Sequence, residues 1–169
     1  MDQRPYSESL SSPRTEVLFL VLTGLSLAVF GATWAVGGPA VWATLSLGIF
    51  VFFLFCSLNY RALHIRITSD ELHLRFGLFA WKVPLGNVNS CSADTVSLWR
   101  IGGAGIHFTS IGGRYRAMFN FLEHPRVVVG LKSKAGLVRD VVFSTGNPGE
   151  VIGRLQPADD LPRFSPAGG

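Results

Sequence analysis

The chain has 169 residues, 48% of them hydrophobic and only 15% charged, with a net charge of +4. Soluble chains carry about 25% charged residues, and the deficit here is local, because Val17 to Leu58 contains no Asp, Glu, Lys, Arg or His. That distribution argues against a wholly soluble protein, and a charge excess this modest does not by itself imply an anionic ligand.

Residues 1–16 form a short leading segment in which Arg4 and Arg14 face Asp2, Glu8 and Glu16, a balance of −1. Val17 to Val36 follows as an unbroken apolar run. Twenty helical residues span roughly 30 Å, the thickness of a bilayer's hydrocarbon core. Gly37, Gly38 and Pro39 break the helix, and Ala40 to Leu58 is a second uncharged run. The two runs predict a transmembrane hairpin over 17–58. A cleaved signal peptide would be shorter and carry a basic leader.

Trp34 and Trp42 flank the turn, where indole rings favour the membrane interface, and Tyr60 holds the opposite end. Basic residues stay cytoplasmic. The turn has none, whereas Arg4, Arg14, Arg61, Arg66 and Arg75 lie on the other side. A multi-pass cell-membrane protein with both termini cytoplasmic is therefore expected, with Arg61 and Arg66 at the headgroups. Gly24, Ala28, Gly31 and Ala35 recur at spacings of three and four, and Ala43, Ser46 and Gly48 are small residues in the second run. Such residues let helices approach closely. Packing within the hairpin is the expected use, with a homo-oligomeric contact as the alternative. An uncharged span offers no proton relay or ion pathway.

Residues 61–156 read as a mainly β domain. Leu63, Ile65 and Ile67 alternate with His64 and Arg66, and Leu72, Leu74 and Phe76 alternate with His73 and Arg75. With the turn at Thr68–Glu71 this is a hairpin pattern. Phe79, Trp81, Val83 and Leu85 continue with period two. Gly86 to Thr95 is irregular and polar, and Val96 to Ile101 is predicted as a strand. Ile106–Phe108, Tyr115–Phe121, Val127–Leu131 and Leu137–Phe143 complete about seven strands, with Lys132–Gly136 as a turn. Asn147, Pro148 and Glu150 make a capping-box arrangement for one C-terminal helix ending near Gln156. The tail 157–169, rich in Pro and Gly, is expected to be disordered.

Strands closed by one terminal helix match the order of a pleckstrin-homology-like (PH-like) barrel. The sequence resembles bacterial membrane proteins with two transmembrane helices and a PH-like domain. The resemblance is carried by Ile67-Thr68 with Asp70-Glu71-Leu72, by Phe76-Gly77 through Val83-Pro84-Leu85, and by Val142–Thr145 with Pro148. The stretches Gly113–Arg116 to Phe121–Glu123 and His124–Val127 belong to it as well. The resemblance implies an architecture and little chemistry, since fold alone does not give function.

No catalytic set, metal site or cofactor is expected. The cluster Ile101–His107 lacks the spacing of a phosphate loop and reads as a bend in a strand. Ser90, Cys91 and Asp94 have no local His. His64 and His73 read as exposed neighbours on opposing strands, and no ligand spacing joins His107 to His124. Cys56 and Cys91 fall in different environments and read as free thiols. The candidate binding group is Arg114, Arg116, Asn120 and Arg126, with Lys132 and Lys134 across a turn. It would meet anionic headgroups or an acidic segment of a protein partner; the plainer reading is a solvated face with Glu123 pairing locally. A membrane-anchored, non-enzymatic binding or scaffold module is expected, ahead of an enzyme acting on lipid at the membrane surface. Nucleic-acid binding ranks last, because most aromatics fall on the core side of their strands.

Overall fold

A computed structural model describes residues 5–156 of the chain. Helix α1 runs Pro13–Ala35 and α2 Ala40–Asn59. The start of α1 lies four residues before the apolar run because Ser12 caps it: the Ser12 hydroxyl accepts the Thr15 N–H at 3.1 Å, and Pro13 takes the first helical position. Both helices are long and apolar enough to cross a membrane, and most of their surface is exposed. Val17, Leu20, Leu25, Val41, Phe52 and Leu58 all face outward. An exposed apolar surface this large marks a membrane or protein contact.

Phe19, Ser26, Ser46 and Cys56 are buried along the helix–helix seam, where the Thr33 and Ser46 hydroxyls lie 3.2 Å apart. Each seam hydroxyl also donates to a carbonyl of its own helix, so none is left unsatisfied in an apolar setting. The small-residue stripe Gly24–Ala28–Gly31–Ala35 does not make this seam. It faces outward, and a Cβ at Gly24, Gly31 or Gly48 would meet open space. Hydroxyl-bearing and aromatic side chains form the contact instead.

Among the described residues nine strands form two sheets. The first has the order β1(Tyr6–Ser11), β2(Ala62–Ile67), β3(Glu71–Phe76), β4(Phe79–Pro84), all antiparallel. The second has the order β5(Val88–Asp94), β8(Arg126–Ala135), β9(Val138–Ser144), β7(Arg114–Asn120), β6(Gly105–Ile111), with β7 and β9 parallel. Helix α4(Pro148–Leu155) packs Val151 and Leu155 into the core between the sheets, and α3(Leu98–Ile101) is a single turn on the second sheet's outer side.

Several expectations change. The leading segment 1–16 supplies β1, which pairs with β2 across the whole helical hairpin, so the sheet is interrupted by the two helices rather than preceded by them. The Glu8 carboxylate fastens this strand to the far end of the domain, accepting from the Thr145 hydroxyl at 2.6 Å and the Gly146 N–H at 2.7 Å. The irregular stretch 86–95 contains β5, and the strand predicted at 96–101 is a loop and α3. Among the described residues the strand count is nine rather than about seven. The turn expected at Lys132–Gly136 is mostly β8, and the chain reverses at Gly136–Leu137. The Asn147 side chain makes no capping bond to α4, and Glu150 pairs with Arg154 along the helix instead of closing a capping box. The tail 157–169 lies outside the described residues.

Strand β9 is buried on both faces, which is why it lacks a clean alternation. Val138, Val141 and Phe143 enter the main core, while Val142 joins Met118 and Ile101 beneath α3. His107 fixes that second core, its ring Nε2 hydrogen-bonded to the Ile101 carbonyl. Burial lowers the His107 pKa below its usual 6.5. The unfolded chain therefore takes up this proton more readily, and stability falls as pH drops below 6.5 toward the folded value. In His107→Gln this component of the acid sensitivity is expected to vanish, as read from melting temperatures between pH 7 and 5.

Cys91 of β5 lies in the main core, and burial pushes its thiol up to about 12. At pH 8 only about one thiol in 10⁴ is ionised at such a value. Maleimide labelling of a Cys56→Ala variant is expected to be negligible until the protein unfolds. Prompt labelling of the folded protein would contradict the placement of β5.

Candidate functional site

The outward side chains of the first sheet form two cross-strand rows. One runs Ser7, Arg66, His73, Lys82, and the next, nearer the helices, runs Ser9, His64, Arg75, Ala80. Strand alternation makes these rows: Leu63, Ile65, Ile67, Leu72, Leu74 and Phe76 all point into the core, so every residue between them points out. Neither row contains a carboxylate. The nearby Glu71 is engaged by Lys82 at 2.9 Å.

Two adjoining hollows share His64 and Arg75. One, of about 320 Å³, is bordered by Ser7, Arg66 and His73. The other, of about 340 Å³, lies at the end of α2 and is bordered by Leu58, Asn59, Arg61 and Gly77. Arg61, His64 and Arg75 thus converge where the sheet meets the hairpin. Arg75 is steadied by its Nε–H, which donates to the Gly77 carbonyl at 3.2 Å. His73 Nε2 is shielded from solvent without a hydrogen-bond partner. His64 and His73 are diagonal neighbours, since His64 pairs with Arg75 and His73 with Arg66.

The six residues expected to bind do not form one patch. Arg114, Arg116 and Arg126 are drawn into an ion network with Asp94 and Asp140, whose side chains are only 2% and 3% exposed. The Arg114 Nε–H donates to both Asp140 oxygens at 2.9 Å. This bonding raises the Arg114 pKa. Arg126 donates from Nε to Asp94 at 2.9 Å and from its terminal nitrogen to the Val96 carbonyl. Arg116 lies between the two carboxylates, 3.6 Å from Asp94 and 3.3 Å from Asp140. Asn120 is fully buried and donates to the Gly103 carbonyl at 2.6 Å. Lys132 and Lys134 are exposed, on the part of β8 that leads to the Gly136–Leu137 reversal.

The interface residues also divide. Trp34 and Trp42 are exposed at the helical turn, and Arg61 and Arg66 are exposed on the basic face. Tyr60 instead packs inside the helix–sheet seam. An aromatic chain runs Phe19–Tyr60–Phe76–Phe121, with ring centroids 5.0–5.3 Å apart, from α1 into the domain core. Among the described residues no group of three His, Cys, Asp or Glu side chains is placed to hold a metal ion.

Comparison of the chain with protein-family models, with curated proteins and with solved structures finds no match. The basic face therefore stands on its own geometry. The alternation of His64 and Arg66 opposite His73 and Arg75 was its visible signal; the missing element was the register, which stacks them into rows beside Arg61.

Proposed function

We propose that the protein is a membrane-anchored, non-enzymatic binding module. In this reading the helical hairpin spans the cell membrane with both chain ends on the cytoplasmic side. The sheet domain sits at the membrane surface, and its basic face receives phosphate-bearing lipid headgroups. The observation that carries the proposal is the convergence of Arg61, His64 and Arg75 at the end of α2, where headgroups would lie. Juxtamembrane basic residues are each worth about 1 kcal/mol of attraction to an anionic leaflet. A PH-like barrel belongs to the same proposal. Setting aside the β6–β7 hairpin leaves a four-stranded sheet, β1–β4, and a three-stranded one, β5-β8-β9, closed by α4. Those are the seven strands and terminal helix that such a barrel requires, with the membrane hairpin inserted between its first two strands.

The test is lipid retention. The full chain is reconstituted in vesicles of equal phosphatidylcholine and phosphatidylglycerol, extracted in mild detergent, and its bound lipid measured. The wild type is expected to retain phosphatidylglycerol at several times the bulk ratio, and Arg61→Ala/Arg75→Ala to retain it near that ratio. Both side chains are exposed, so the variant should keep its fold. Equal retention by both proteins would overturn the headgroup reading.

A further inference from the structure

Two apolar tips of the sheet domain lie alongside the hairpin, one on each helix. The first is the β3–β4 turn. Leu78 is 78% exposed, its N–H donates to Asn59 Oδ1 at 3.1 Å, and Phe79 meets Phe55 of α2 edge-on at 6.1 Å between ring centroids. Phe55 lies one turn inside the uncharged run, so this tip reaches past the end of α2 to the depth of that run. The second tip is α3. Trp99 is 97% exposed, while Ile101, two residues on, is buried and holds the turn to the sheet. Between α3 and α1 lies a cavity of about 590 Å³ lined by Leu18, Leu98, Trp99, Gly102, Gly103 and Leu122. Leu18 is again inside the uncharged run.

We propose that the domain is wedged into the bilayer surface rather than tethered above it, with Leu78–Phe79 and Leu98–Trp99 inserted in the interfacial layer and lipid acyl chains filling the cavity between α1 and α3. The occupant follows from continuity: Phe79 meets Phe55 of the uncharged run, and the cavity that joins α3 to Leu18 of α1 is lined by uncharged residues alone. The first charge beyond Trp99 is Arg100, whose long side chain can reach the headgroups. Depth agrees as well. Sixteen residues separate Leu18 from Trp34, about 24 Å of helix. Trp99 beside Leu18 and Trp34 at the turn therefore fall near opposite edges of a hydrocarbon layer about 30 Å thick, where indole rings concentrate.

The proposal rests on the hairpin crossing the membrane, and its test separates the two claims. Spin labels are placed singly at Leu78→Cys, Trp99→Cys, Ile49→Cys and Leu137→Cys in the full chain, reconstituted in phosphatidylcholine vesicles. Unlabelled positions Cys56 and Cys91 are buried, so wild type gives the background. Ile49 faces outward at mid-α2, and Leu137 is exposed at the β8–β9 reversal, at the opposite end of β8 from His124, whose ring meets the Ser11 carbonyl beside the start of α1. Collision with oxygen relative to a water-soluble nickel chelate is expected to be several-fold higher at 78 and 99 than at 137, and highest at 49. Labels at 78 and 99 as water-exposed as 137, with 49 still deep, overturn the wedge and spare the spanning hairpin. A water-exposed 49 overturns both. Protection of 78 or 99 that appears only as protein concentration rises in detergent identifies a second copy as the occupant and also overturns the proposal. Quenching of native tryptophan fluorescence by brominated lipid, compared with Trp99→Phe, gives the same reading without a label: the variant should lose a shallow-quenched component.

Discussion

Gly77→Ala is expected to give the largest loss of stability among single-atom-scale changes in this protein. Gly77 holds φ at +59°, and a Cβ there would lie 2.5 Å from the Asn59 carbonyl oxygen and 2.7 Å from its Oδ1. The left-handed conformation alone costs a residue with a Cβ about 1–2 kcal/mol. The clash adds to this, because its first partner is backbone at the end of α2 and cannot rotate away. The same contact positions the β3–β4 tip, so the variant should both melt earlier and lose the Leu78–Asn59 hydrogen bond. Gly113→Ala is the control: φ is +75° there, but a Cβ meets nothing within 4 Å. Thermal unfolding of both variants in one detergent checks the claim. A fall in melting temperature for Gly77→Ala no larger than for Gly113→Ala would show that the helix end and the sheet do not pack this closely.

Asp140→Ala should cost about 3–5 kcal/mol, the usual penalty for removing one partner of a buried ion pair. Asp140 is buried and faces Arg114 and Arg116 at once. The Arg116 side chain is only 14% exposed, so it cannot recover its lost partner from water. Replacing the orphaned cation as well should restore part of the loss, and Asp140→Ala/Arg116→Met is expected to be more stable than Asp140→Ala. Denaturant unfolding of the three proteins tests this. If the double variant is the least stable, the arginines are not held by Asp140. The lipid retention proposed for Arg61 and Arg75 should be unchanged in a folded Asp140→Asn protein, because the two groups sit on different sheets.

Much of this architecture was legible in the residues. Charge-free runs bounded by Gly37–Pro39 place both helices to within a few residues, and the alternation from Leu63 to Val83 places three strands. What was missed had physical causes. The strand Tyr6–Ser11 is half polar because Glu8 points inward to Thr145 and Gly146, partners more than 130 residues away that no local pattern reveals. Strand β5 looked irregular because only Val88 and Cys91 of it are buried, with a bulge between Val88 and Ser90. Val96–Ile101 has strand-like composition, but it covers the second sheet as a loop and one helical turn, with Ile101 as its anchor.

The candidate site shows the same limit. Arg114 and Arg116 do share a strand face, as their spacing implies. Whether such a face is free depends on what lies opposite, and Asp94 and Asp140 arrive from β5 and β9. Conversely, His64, Arg66, His73 and Arg75 were plain as exposed strand residues. The meeting of His64 and Arg75 with Arg61 at the helix end follows from a turn whose geometry Gly77 and Asn59 set together.

The measurement that bears most directly on the whole account is sidedness. Val36→Cys, exposed at the helical turn, and Leu137→Cys, exposed on the sheet domain, are each treated with a membrane-impermeant maleimide in intact expressing cells. The account predicts labelling of Val36→Cys from outside and of Leu137→Cys only after the membrane is opened. Labelling of both from the same side would contradict a hairpin that spans the membrane with the sheet domain on the inner face.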